Sequence, residues 1–214
     1  MTSINIAHTL EELDKFITYQ PQLTELSIYD CHYVEYLPDS IGNFASLQEL
    51  DICDCAWLKE IPDSIGKLAN LEKLLIRGCI RDISRLKKLP DSIGQLKALT
   101  YFKISNTAIT SLPETIGNLK NLKYLSLENG YFTSLPECIG ELKSLEFLNI
   151  RQNYLIDLPE SIGNLQNLWY IDARDNMLES LPDSICDLKL LEDINIENNP
   201  KCNSIPKHIR KLLE

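Results

Sequence analysis

Residues 122–144 read LKYLSLENGYFTSLPECIGELKS and residues 145–167 read LEFLNIRQNYLIDLPESIGNLQN. Aligned, the two stretches agree at Leu122 and Leu145, Leu125 and Leu148, Leu127 and Ile150, Leu135 and Leu158, Pro136 and Pro159, Ile139 and Ile162, and Gly140 and Gly163. Worked outward, the Leu-Pro or Ile-Pro pair recurs with its proline at Pro38, Pro62, Pro90, Pro113, Pro136, Pro159, Pro182 and Pro206, at successive spacings of 24, 28, 23, 23, 23, 23 and 24 residues. Eight copies of so regular a period are the signature of a stacked repeat architecture.

Each copy divides into two local structures. Upstream of the proline, Leu-x-x-Leu-x-Leu ends in apolar residues alternating with polar ones, as in Leu125 and Leu127, which is a short strand with one buried face. Three residues after the last of them stands Cys31, Cys55, Cys79, Thr107, Gly130, Asn153, Asn176 or Asn199. Apart from Gly130 these are small polar or thiol side chains able to bond the backbone as the chain turns out of the strand. After the proline comes a carboxylate and then Ile, usually followed by Gly. Proline at the first helical position, with an acid beside the positive end of the helix dipole, opens a short helix. Cys186 and Arg210 replace that Gly, so the position is expected to be helical, with Gly chosen for close packing rather than a positive φ.

The pattern Leu-x-x-Leu-x-Leu-x-x-Asn/Cys resembles the leucine-rich repeat family. Leu-Pro-x-x-Ile-x-x-Leu is similar to its intracellular subclass of about 23 residues per repeat, which includes plant Ras-group proteins and many bacterial proteins. The resemblance runs from about Leu23 to Leu213. It implies an α/β solenoid, a curved horseshoe with a parallel β-sheet on the concave face and short helices or 3-10 turns on the convex face. Its expected organisation is an N-terminal cap of strand plus helix over residues 1–22, with Ile4 and Ile6 in the strand and Thr9-Leu10-Glu11-Glu12 as a capping box. Eight repeats follow over residues 23–214, closed by a last helix at 206–214.

Composition narrows the function. The 214 residues are 44% apolar and carry a net charge of -10, which repels a polyanion and argues against nucleic acid as partner. Seven of the ten net charges correspond to the convex carboxylates Asp39, Asp63, Asp91, Glu114, Glu137, Glu160 and Asp183, which are helix-start residues. No stretch reaches the roughly 18 apolar residues of a membrane span, and the N-terminus lacks the basic and apolar segments of a signal peptide. With seven cysteines, an odd number, and no glycosylation sequon, a reducing cytoplasmic setting is expected, in the producing cell or in the cytosol of a host. The Cys31, Cys55 and Cys79 column lacks companion ligands for a metal, and His8, His32 and His208 are scattered to the two ends. No cofactor, metal or enzymatic activity is expected.

The concave positions carry the information. The residue before the second Leu of each strand is Tyr101, Tyr124, Phe147 and Tyr170 in four consecutive repeats, with Trp169 at the rim and Arg77, Lys103, Arg151 and Arg174 nearby. Aromatic and Arg side chains dominate binding hot spots, although cross-strand stacking within the sheet is an alternative use of the rings. The repeat of 28 residues adds a basic insertion at Ile80–Lys88, where Arg81, Arg85, Lys87 and Lys88 are secondary contact candidates. The expectation is a monomeric protein-interaction module, an adaptor, scaffold or effector binding a protein partner on its concave face. The alternatives are a substrate-recognition arm of a larger enzyme system such as ubiquitin transfer, or a self-association module.

Overall fold

The computed structural model describes residues 2–5, 14–15, 19–20, 22–29, 34–79 and 84–210. The expected capping box at Thr9, the residues Cys31, His8, His32 and Arg81, and the tail after Arg210 lie outside them. Nine parallel strands form one sheet in strict chain order. They are β1 (Thr2–Asn5), β2 (Glu25–Tyr29), β3 (Glu49–Cys53), β4 (Lys73–Arg77), β5 (Tyr101–Ser105), β6 (Tyr124–Glu128), β7 (Phe147–Asn149), β8 (Tyr170–Asp172) and β9 (Asp193–Asn195). The register is the repeat itself, pairing Tyr101 with Tyr124, Tyr124 with Phe147, Phe147 with Tyr170 and Tyr170 with Asp193.

One 3-10 helix follows each of β2 to β8, from Asp39–Asn43 to Asp183–Asp187. The proline stands one place earlier than the sequence predicts: Pro90 is extended (φ -71, ψ 151) and precedes the helix Asp91–Gln95. Its carbonyl accepts the N–H of Ile93 at 3.1 Å, so the acid is the first helical residue. Between sheet and helices lies one continuous core, in which Leu50, Leu74, Leu125 and Leu148 stack from repeat to repeat with no exposure. Each such side chain contributes about 1.5–3 kcal/mol by burial, and only because the next repeat covers it.

Close approach between repeats explains the glycines. A Cβ added at Gly42 would lie 2.5 Å from the carbonyl oxygen of Ser64, and one at Gly117 would lie 2.7 Å from that of Cys138. None of the glycines has a positive φ. Cys186 is accommodated because the next element is the short α-helix Lys207–Arg210 rather than another 3-10 helix, and it is exposed.

The left-handed conformation instead falls one residue before the turn position, at Asp54, Asn106, Asn129, Gln152, Asp175 and Asn198, with φ of 51–57°. Asn and Asp tolerate it best. It delivers the following side chain into the core, where Asn176 is buried and joins its own repeat to the one before it. Its Nδ2 donates to the carbonyls of Ile150 at 2.9 Å, Ala173 at 3.2 Å and Arg174 at 3.1 Å, while Oδ1 accepts from Leu155 N–H at 3.1 Å. Asn153 and Asn199 repeat the pattern. Thr107, at the equivalent place, is buried and its hydroxyl has no partner among the described residues. Asn176→Ala is therefore expected to destabilise the chain by about 2–3 kcal/mol, whereas Thr107→Val changes stability by less than about 0.5 kcal/mol or raises it; urea denaturation measures both.

Candidate functional site

Strand spacing dictates what four in-register aromatics do. Neighbouring strands lie about 4.8 Å apart, close to the distance at which rings stack. Tyr101 and Tyr124 have centroids 4.3 Å apart at 4°, Tyr124 and Phe147 4.5 Å at 6°, and Phe147 and Tyr170 4.6 Å at 9°. The result is a ladder of half-buried rings that turn their faces to one another and their edges to the concavity. Trp169 is 42% exposed and leans on the ladder, 6.3 Å from Phe147 and 5.7 Å from Tyr170. Burial, reinforced by the adjoining Tyr101, pushes the Tyr124 phenol up to about 12, so it is neutral at physiological pH.

Beside the ladder runs a trough. Ser126, Asn149 and Asp172, which strand alternation points into the concavity, are buried there rather than exposed. The four basic residues expected to face a partner are drawn into internal pairs along it. Arg77 donates to Asp51 through both Nε and Nη2. Arg174 forks onto Asp172 at 2.9 and 2.7 Å. Lys103 pairs with Glu128, which also accepts from Asn149 Nδ2 at 3.0 Å and lies 3.3 Å from Arg151 Nε. The concave cations are thus largely neutralised in place, and the surface they line is closer to neutral than the sequence suggests.

The insertion is also partly folded back. Arg85 lies 3.6 Å over the Trp57 ring of the preceding repeat, and its N–H donates to Ala56 at 3.0 Å. Lys87 and Lys88 are exposed, and Leu86 is buried beneath them.

A second apolar strip escaped the sequence reading. Tyr131, Tyr154 and Met177, the residues that follow the turn position in three successive repeats, are 44%, 45% and 50% exposed, with Ile156 beside them. Tyr131 and Tyr154 stack at 5.8 Å over a depression of about 330 Å³ that reaches Asn129 and Asp175. Taken at period 23 these residues were as visible as the ladder.

Among the described residues no three His, Cys, Asp or Glu side chains are grouped to hold a metal ion. Burial pushes the Cys53 and Cys138 thiols up to about 11, away from nucleophilic thiolate chemistry. No helix among the described residues is long and apolar enough to cross a membrane.

A curved sheet lined by short helices, repeated at about 23 residues, defines an α/β repeat solenoid. The chain belongs to the leucine-rich repeat proteins: the leucine-rich repeat region model matches residues 80–151, and the leucine rich repeat model matches residues 46–68 and 144–165. Among solved structures, it is similar to a leucine-rich repeat protein of Leptospira interrogans, with 29% identity and a TM-score of 0.72 over 84% of this chain and 50% of that one. It is also similar to the leucine-rich repeat domain of the type III effector XopL, with 24% identity and a TM-score of 0.72 over 95% of this chain and 79% of that one. A plant peptide hormone receptor, RGFR1, solved in complex with RGF2, matches with 25% identity and a TM-score of 0.60 over 91% of this chain and 37% of that one. The chain thus spans half the length of the Leptospira protein and little more than a third of the receptor. No curated protein matches the sequence. Leucine-rich repeat domains are in general protein-binding modules without catalysis of their own.

The trough gives the site a pH dependence. Burial by itself would raise the Glu128 and Asp172 carboxyls, but Lys103 at the first and Arg174 at the second hold both below their ordinary values. A depressed carboxyl stabilises the fold above its unfolded pKa, and that stability is lost as pH falls through the folded value. The melting temperature is expected to drop below about pH 4. The Glu128→Gln/Asp172→Asn variant is expected to melt lower than the parent at pH 7 and to show a flatter fall across the acid window, measured by thermal denaturation from neutral pH downward.

Proposed function

We propose that the chain is a protein-interaction module whose concave face receives a segment of a protein partner along the ladder Tyr101, Tyr124, Phe147 and Tyr170. The observation that carries this is the ladder itself, a continuous aromatic edge with Trp169 beside it, next to cations already neutralised by Asp51, Glu128 and Asp172. Such a surface offers apolar area at low side-chain entropy cost and little net charge, which favours an apolar stretch of polypeptide. The module acts by binding, as an adaptor or scaffold of the intracellular repeat subclass. The odd count of seven cysteines supports a reducing compartment. Lys87 and Lys88 on the insertion are a secondary contact.

The stacked geometry favours a second use of the rings, as cement between strands worth about 0.2–1 kcal/mol per pair. The two uses separate in one experiment. The Tyr124→Ala/Phe147→Ala/Tyr170→Ala variant is expected to keep its circular dichroism, melt at lower temperature, and lose the band that wild type captures from lysate. Retention of every captured band by a folded variant would move the site off the ladder.

A further inference from the structure

The two ends of the ladder are finished differently. At the first end Lys73 is the register neighbour of Tyr101. Its ammonium sits 5.6 Å over the ring, and Glu49 on the preceding strand pairs with it at 3.0 Å. A cation over an aromatic face, backed by a carboxylate, combines the attraction of the ring quadrupole with that of the ion pair.

At the other end the register neighbour of Tyr170 is Asp193, which is exposed and pairs with no cation among the described residues. Its short side chain carries a carboxylate to the ring's flank without the length to cover the ring. The carboxylate's field is felt there: burial chiefly, with Asp172 and Asp193 adding to it, raises the Tyr170 phenol. Trp169 borders the same end. Glu192 and Glu197 are exposed close by in sequence, and the cations whose charge reaches Tyr170 are Arg174 and Arg151, the latter 3.3 Å from Glu128. One of those cations, Arg174, is committed to Asp172. This end has the ring and the carboxylate of the first end and lacks its cation.

We infer that the outer face of Tyr170, with Trp169 and the Asp193 carboxylate, receives an arginine or lysine side chain of the protein partner, which supplies in trans what Lys73 supplies within the chain at Tyr101. The inference rests on the concave-face reading and names the chemistry that the face recognises: an apolar stretch along the ladder, followed by a basic residue at the β9 end. An acidic residue there would meet Asp193 and the surrounding negative field, so the same arrangement sets the direction in which a segment can lie.

The test uses a phage-displayed library of random peptides panned on the whole chain, keeping the binders that Phe147→Ala abolishes. The strongest is titrated calorimetrically beside a twin in which its basic residue is glutamine, against wild type and against Asp193→Asn. Because Asp193 is exposed, that variant is expected to keep the wild-type circular dichroism. The expected result is that the twin binds wild type roughly tenfold more weakly than its parent. Asp193→Asn should weaken the basic peptide by a similar factor and leave the twin unchanged. Ladder-dependent binders without a required basic residue, or an equal loss for both peptides on Asp193→Asn, would overturn the inference and leave the concave face standing as the site. A selection in which no binder depends on Phe147 would overturn the concave-face reading, and this inference with it.

Discussion

The step from one strand to the next, held by parallel backbone hydrogen bonds at about 4.8 Å, is the constraint on which the remaining features depend. No repeat has enough apolar area to fold alone, so Leu125 is buried only because Phe102 and Leu148 lie on either side of it in register. The same step brings the carbonyl of Ser64 so near Gly42 that a Cβ does not fit. It also lets one Asn176 side chain reach backbone groups of the repeat before its own as well as those of its own turn. Where this polar bridge is replaced by Cys55 or Thr107, packing takes over part of the work: Cys55 donates weakly to Cys53 at 3.3 Å, and Thr107 bonds nothing described. The last turns, with Asn153, Asn176 and Asn199, are the more thoroughly cross-linked part of the solenoid.

That step also makes the surface chemistry collective. Rings placed once per strand must stack, and charges placed once per strand must find each other. The carboxylate of Glu128 gathers Lys103 from the strand before it and Asn149 and Arg151 from the segment after it. A solvent-facing ion pair is worth little by itself, but a trough of them removes the field that isolated cations would project. On the proposed function the concave face discriminates through its apolar edge and its unpaired β9 end rather than through the charge of its middle.

Much of this was legible in the sequence, because a solenoid converts sequence period into spatial column. The strands, the core leucines, the convex acids and the register of Tyr101, Tyr124, Phe147 and Tyr170 all follow from spacing. What spacing does not convey is reach and rotamer. That Arg174, just past the end of β8, folds back onto Asp172 of its own repeat, while Arg77 crosses to Asp51 on the neighbouring strand, depends on side-chain paths. The burial of Ser126 and Asn149 depends on what leans over them. The left-handed residue at Gln152 is hidden because Gln is a poor marker of that conformation, whereas Asn129 and Asn198 carried a readable hint. The Tyr131, Tyr154 and Met177 strip recurs at the same period but lies just beyond the strand, where strand alternation assigns no face.

On the proposed function a partner covers the ladder edge. Hydroxyl-radical footprinting of the chain, free and bound to a captured partner, reads the side chains directly. Oxidation of Trp169, Tyr124, Phe147 and Tyr170 is expected to fall on binding while exposed Leu190, which follows the 3-10 helix Asp183–Asp187, is unchanged. Protection confined to the convex helices, with Trp169 and Tyr170 oxidised as in the free chain, would contradict the proposed function.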